Sequence, residues 1–232
     1  MKRSGKVLVS ISGTIVIVVL LSIMFPAWIC SSIDRPTGDE SKNQFDTFCT
    51  GSYVKVSLQP YDFTLDEACR LKDDLERNLC PQSGEWALSF DVLPNKPLTT
   101  ELKNDAGTRF RADKIIHSLE RNADSQHVII ALTHQDISVS YKGKPDWGVL
   151  GLSLIPKKAC VVSTYRLNSR GDLWKLAAHE FIHTCFNYRH CPDNNPKCIM
   201  KDANGHPDFS NKSTLCKQCS KNIFRQTLYN SF

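Results

Sequence analysis

The chain has 232 residues, 41% of them hydrophobic and 23% charged, a composition that excludes a disordered polymer and leaves room for one globular domain with an added segment. Its net charge is +5, but Lys2, Arg3 and Lys6 supply three of those charges in a stretch before Ile29 that has no acidic residue. About +2 remains for the rest, too little for an electrostatic footprint on nucleic acid, so no nucleic-acid partner is expected. Ten cysteines are enough to require covalent or metal chemistry, and too few for a mini-protein held only by disulfides.

Residues 1–30 read as a separate object. Val7 to Ile29 carries no charge and reaches about 34 Å as a helix, against a hydrocarbon core of about 30 Å. Lys2, Arg3 and Lys6 precede it, so the positive-inside rule keeps the N-terminus in the cytoplasm and sends Ser31 onward across the membrane. Two readings stay open: an uncleaved membrane anchor, or an exported chain whose signal is cleaved or lipidated near Cys30. Both place the following domain outside the cytoplasm, where disulfides persist. Residues 31–48, mostly small, charged or Pro/Gly, read as a linker, and 49–232 as the domain.

In the domain, Thr64-Leu65-Asp66-Glu67 is a capping box, and Leu71, Leu75 and Leu79 recur at helical spacing. A helix is predicted from Leu65 to Leu79, stopping before Pro81. Cys69 and Cys80 then lie roughly 16 Å apart, too far for one disulfide, which leaves Cys49 and Cys160 as candidate partners. Trp86 to Leu93 alternates as a strand, Ala112 to Leu119 reads as a helix, and His127 to Leu132, Trp147 to Leu154 and Cys160 to Tyr165 read as strands. Asp172 is placed to cap a helix in which Trp174, Ala178, Phe181 and Cys185 form an apolar stripe. The layout predicts an α+β fold, a mixed sheet backed by helices.

The chemistry is concentrated between His179 and Cys219. His179-Glu180-Phe181-Ile182-His183 is H-E-x-x-H, and on a helix the i, i+4 spacing brings both imidazoles to one face, able to hold one zinc. Glu180, one residue on, is near the same metal yet free to take a proton from water. His190 and Met200 follow in the order of the metzincin peptidases, a third His after a turn and a Met beneath the site. Cys216-Lys-Gln-Cys219, with Cys191 and Cys198, offers four thiolates to a tetrahedral zinc; two disulfides are the competing reading. Cys185 reads as a buried free thiol, and His117, His127, His134 and His206 as surface or satisfied core residues.

These residues resemble the archaemetzincin family. The resemblance rests on H-E-F-I-H-T continuing to His190-Cys191, then Cys198-Ile-Met200, then Cys216-x-x-Cys219. Ile129 to Asp136 and Ala159 to Leu167 agree more weakly, and everything before Leu93 lies outside it. It implies a metzincin-like, mainly parallel twisted sheet with an active-site helix and a zinc-stapled C-terminal segment. It implies two zinc ions per chain: one catalytic, on His179, His183 and His190 with Glu180 as base and Met200 in the Met-turn, and one structural, on Cys191, Cys198, Cys216 and Cys219. It also implies that the run through Trp147 to Leu154 is the edge strand along the cleft, to which an extended peptide adds.

The chain departs from the family pattern at two places. Phe186 stands where the family has Gly, and Arg189, which cannot ligate, where it has the third His. His190 reaches the metal only with one inserted residue in the turn, and Asn187 is the residue able to take φ > 0 there. Cys191 and Cys198 are also spaced more widely than in the family. The activity implied is hydrolysis of peptide bonds in a peptide or protein substrate. The alternative is an inactive, zinc-stapled extracytoplasmic binding module of the same fold. The oligomeric state is not legible in the sequence.

Overall fold

In a computed structural model the described residues are 53–83, 86–120, 127–154, 158–203 and 208–225. The chain divides into two units, 1–38 and 39–232, and every described residue lies in the second. The stretch 7–29, the linker, Cys49 and His206 lie outside the described residues, among which no helix is long and apolar enough to cross a membrane.

Strand β1 (Tyr53–Tyr61) leads into helix α1 (Leu65–Leu79). Thr64 Oγ1 accepts the Glu67 N–H (3.2 Å), and the Glu67 carboxylate accepts the Thr64 N–H (3.3 Å), so two otherwise orphaned donors are satisfied at the helix start. Ala68, Leu71, Leu75 and Leu79 line the buried face. Then come β2 (Ala87–Val92), β3 (Phe110–Arg111), α2 (Ala112–Leu119), β4 (His127–Thr133), β5 (Ile137–Tyr141), β6 (Lys144–Val149), β7 (Gly151–Ser153), β8 (Ala159–Ser163), α3 (Leu173–Phe186) and α4 (Lys217–Arg225).

Five strands form the main sheet in the order β2-β1-β4-β8-β7. The first four run parallel, and β7 closes the edge antiparallel to β8, with Gly151 opposite Val162 and Ser153 opposite Cys160. The expected mixed, mainly parallel sheet is therefore present. Such a sheet is buried on both faces, and the side-chain period of two divides β4 between them. Val128, Ile130 and Leu132 pack with α1 and α3, while Ile129 and Ala131 pack with α2. Fully burying side chains of this size contributes about 1.5–3 kcal/mol each, so the central strands carry much of the domain's stability.

The run Trp147 to Leu154, expected as one strand, is two. It breaks at Leu150: β6 pairs with β5 in a second sheet, ordered β3-β5-β6, and only β7 joins the main one. Beside the crossing the Arg166 guanidinium lies on the Gly148 backbone, where an added β-carbon would come within 2.5 Å of it. Arg166 in turn donates to both Asp136 oxygens (2.8 and 2.7 Å), of which Oδ2 also accepts from Arg109 (2.7 Å), and Arg109 reaches Asp146 on β6 (2.9 Å). Asp172 is a second correction. It precedes α3, but its backbone is already helical (φ −91°, ψ −3°) and its carboxylate accepts Lys175 Nζ (2.7 Å) instead of capping. Cys80 and Cys160 are free thiols, so the pairing considered for them is absent.

Candidate active site

Helix α3 lies against β8 and β7 and is buried on most of its surface, including His179 and Glu180. It ends at Asn187, whose φ of 49° and ψ of 30° put it in the left-handed region. Asn tolerates that conformation because its short polar side chain bonds locally. The bend turns the chain back over the helix, buries Tyr188 and returns His190 to the face of His179 and His183. The ligand nitrogens of the three histidines all lie within 4.8 Å of one another.

Their tautomers can be read from their partners. A carbonyl only accepts, so His179 Nδ1 donates to Ile199 O (2.9 Å) and His183 Nδ1 donates to Tyr188 O (2.5 Å). Both Nε2 atoms are then lone-pair acceptors, yet they face each other at 3.0 Å. Two acceptors at that distance repel unless a cation lies between them. Ligands about 2.0–2.1 Å from a tetrahedral zinc stand about 3.3 Å apart, close to what is seen. The donor set therefore fits a zinc ion. Burial holds His179 well below its ordinary pKa and lowers His183 as well, which keeps both rings neutral, the form that ligates. His190 is exposed, and its Nδ1 lies 3.4 Å from an Asp202 oxygen.

Glu180 sits between the two histidines on the sheet side of the helix. Burial raises its carboxyl to about 7, against the lowering effects of a Ser153 hydrogen bond and the positive charge of Lys212. Ser153 Oγ is 2.7 Å from Glu180 Oε2 and also 2.7 Å from the Glu180 carbonyl. Lys212 is buried, donates to Lys201 O (2.6 Å) and lies over the Phe209 ring (4.0 Å). Desolvation brings its ammonium down to about 8. A cleft of about 390 Å³ opens beside Glu180 and His179, walled by Trp147 and Tyr141 of the hairpin, the 148–152 edge, Leu176 and Phe209.

The four cysteines gather behind this site. Their sulfurs lie within 4.8 Å of one another, and Cys191 Sγ is 3.7 Å from Cys216 Sγ. That is close to the roughly 3.8 Å between sulfurs on a tetrahedral zinc and far from the roughly 2.05 Å of a disulfide. The backbone N–H groups of Cys216 and Cys219 point at the sulfurs of Cys198 and Cys216, and the Tyr188 hydroxyl at that of Cys219, each at 3.5 Å. Burial pushes the Cys198 thiol up to about 11 and raises Cys219 too, while hydrogen bonds hold Cys191 below its ordinary value; a bound dication would favour the thiolate form of the set. Met200 is fully buried, and its carbonyl accepts the Cys191 N–H (2.8 Å).

Sequence reasoning named none of Gly151, Ser153, Tyr188, Asp202 or Lys212. Each reaches the site through tertiary packing, with no spacing in the chain to flag it. His127, His134 and His117 bond Ser57, Glu67 with Thr164, and Glu120 respectively, as expected of satisfied histidines away from a metal.

No protein-family model matches the chain. It is 28% identical over 149 residues to the archaemetzincins of two Halobacterium salinarum strains, covering 57% of this chain and 82% of theirs. Among solved structures, the archaemetzincin of Methanopyrus kandleri superposes with a TM-score of 0.59 at 20% identity, over 77% of this chain and 98% of that one. A zinc-dependent peptidase from Methanocorpusculum labreanum gives 0.56 at 18%, over 72% and 99%. The archaemetzincin of Archaeoglobus fulgidus gives 0.53 at 21%, over 72% and 99%. The fold is that of the archaemetzincins, and the resemblance first drawn from a few motifs extends across the sheet and its helices.

Proposed function

We propose that this chain is a zinc-dependent peptidase with a catalytic zinc on His179, His183 and His190 and a structural zinc on Cys191, Cys198, Cys216 and Cys219. The observation that carries the reading is the pair of Nε2 lone pairs turned on each other at 3.0 Å, with both Nδ1 atoms committed to carbonyls. Zinc bound there supplies Lewis acidity, polarising a scissile carbonyl and making water a nucleophile near neutral pH. Glu180 takes a proton from the attacking water as the new C–O bond forms. It then passes that proton to the amine as the C–N bond breaks. Met200 acts as packing, and an extended peptide or protein substrate lies along β7 with a side chain in the cleft beside Trp147. The left-handed Asn187 and the nearness of His190 to the other two rings speak against the inactive binding module.

The reading extends to location. The charge-free stretch 7–29 behind Lys2, Arg3 and Lys6 supports a domain that is anchored to a membrane, or exported or lipidated, and works outside the cytoplasm.

Metal content and turnover test the proposal together. Two zinc ions per chain are expected, one removed readily by a chelator. Glu180→Gln is expected to cut peptide turnover by roughly 10² to 10⁴ with both metals kept, since it removes a proton acceptor and no ligand. One zinc with four thiols that resist labelling before reduction would assign the cysteines to disulfides. Undiminished turnover in Glu180→Gln would remove that residue from the mechanism.

A further inference from the structure

The edge strand does more than border the cleft. Gly151 and Ser153 are two apart on β7, so both present the same face, and that face meets Glu180. A β-carbon on Gly151 would lie 2.8 Å from Glu180 Cγ and Oε1, and 3.0 Å from Cδ. The carboxylate therefore lies flat over a backbone that has no side chain to displace it. Ser153 Oγ, 2.7 Å from Oε2, takes hold of the other oxygen.

A serine hydroxyl has one hydrogen and here two acceptors at equal distance, Oε2 and the Glu180 carbonyl. When the carboxylate is ionised, the hydrogen points to Oε2. When Glu180 carries the proton on Oε1 during turnover, Oε2 still accepts through its lone pairs and the serine hydrogen stays on it. The same donor thus fits the residue before and after proton transfer, and no group has to move. Oε1, over Gly151 at the cleft side, is left to exchange the proton with water and the leaving amine. We propose that Ser153 is a positioning residue for Glu180, holding Oε2 throughout the cycle while Gly151 gives Oε1 its place. The proposal rests on the peptidase reading for its kinetic consequence, but not for its geometry.

The test compares Ser153→Ala, Ser153→Thr and Gly151→Ala in the zinc-loaded full chain. Misplacing a reacting group by about 1 Å costs up to about 10²-fold. Ser153→Ala is therefore expected to lower kcat by about 10- to 100-fold with KM and zinc content within twofold. Ser153→Thr, which keeps the hydroxyl, should recover most of the loss. Crystal structures of the variants supply the second readout: the Glu180 carboxylate should rotate or shift in Ser153→Ala and Gly151→Ala and keep its place in Ser153→Thr. A wild-type chain that cleaves no peptide would defeat the peptidase reading alone, and the variant structures would still decide the positioning. An unmoved Glu180 in Ser153→Ala, or a kcat within twofold of wild type, would overturn the proposal.

Discussion

Asn187 offers the sharpest test of how this chain holds its third imidazole. Its φ of 49° costs a residue with a β-carbon roughly 1–2 kcal/mol, least for Asn and most for a β-branched side chain. The Asn187 side chain is exposed, so Asn187→Val adds that strain without removing packing. The neighbours cannot absorb it: Phe186 and Tyr188 are buried, and the Tyr188 carbonyl is taken by His183 Nδ1. Relief comes only by opening the turn, which carries His190 away from its partners. If the full 1–2 kcal/mol is drawn from metal binding, zinc affinity at the three-histidine site falls about 5- to 30-fold. Asn187→Gly, which meets no barrier at positive φ, should bind within about twofold of wild type. Competition against a zinc-sensitive dye measures the affinities, with the melting temperature of the metal-free chain followed beside it. A Val variant that matches wild type in both would refute the reasoning, since no strain would then reside at this turn.

Removing a ligand should be more severe than straining the turn. His190→Ala is expected to empty the catalytic site nearly as fully as His183→Ala and to leave the four-cysteine zinc in place, as zinc counts after mild chelation would show; full occupancy would point to another third ligand. The metal-free chain should also carry a particular dependence on pH. Burial holds His179 and His183 below the ordinary value of 6.5, so the unfolded chain takes up protons that the folded chain refuses. The stability these two contribute is present above about pH 6.5 and is lost as the pH falls, by up to about 1.4 kcal/mol per pH unit for each histidine. Glu180 acts in the opposite sense: raised to about 7, it binds a proton in the folded chain before the unfolded chain does near 4.5. Melting temperatures between pH 7.5 and 5.5 should therefore fall more steeply for Glu180→Gln than for wild type. Parallel slopes would show that the carboxyl is not held in a dry site.

Helix α1 was legible to the residue because three independent local signals coincide: a capping box, a leucine period and a proline stop. Strand β4 was legible because both of its faces are apolar. Strand β1 was not, although Val54, Val56 and Leu58 alternate, because its other face buries Ser57 and Gln59, whose partners His127 and the Pro94 carbonyl lie far along the chain. Helix α4 went unassigned for a related reason: it has few apolar residues, and Cys219 and Ile223 tie it to the core. At the site, the histidines and cysteines could be read because ligand spacing is a property of the chain itself. The residues around them could not, because an oxygen from β7 that meets a carboxylate on α3 leaves no periodic trace. The break at Leu150 was hidden by composition, since two strands of different sheets share one apolar run.

His190 and Cys191 are neighbours in the chain, one facing each candidate metal, and the links do not stop there. Ile199, whose carbonyl orients His179, lies between Cys198 and the buried Met200, and the Met200 carbonyl clasps the Cys191 N–H. The two centres are thus coupled through one short segment, 190–200. Ile199 and Met200 are also held by burial and by the Ile199 N–H to Thr214 O bond (2.9 Å), so drawing the four sulfurs together would tighten a segment that already props His179 and carries His190. If both centres take zinc as proposed, metal supply at the cysteines would bear on the histidine site as well, and the maturation of the two would be coupled.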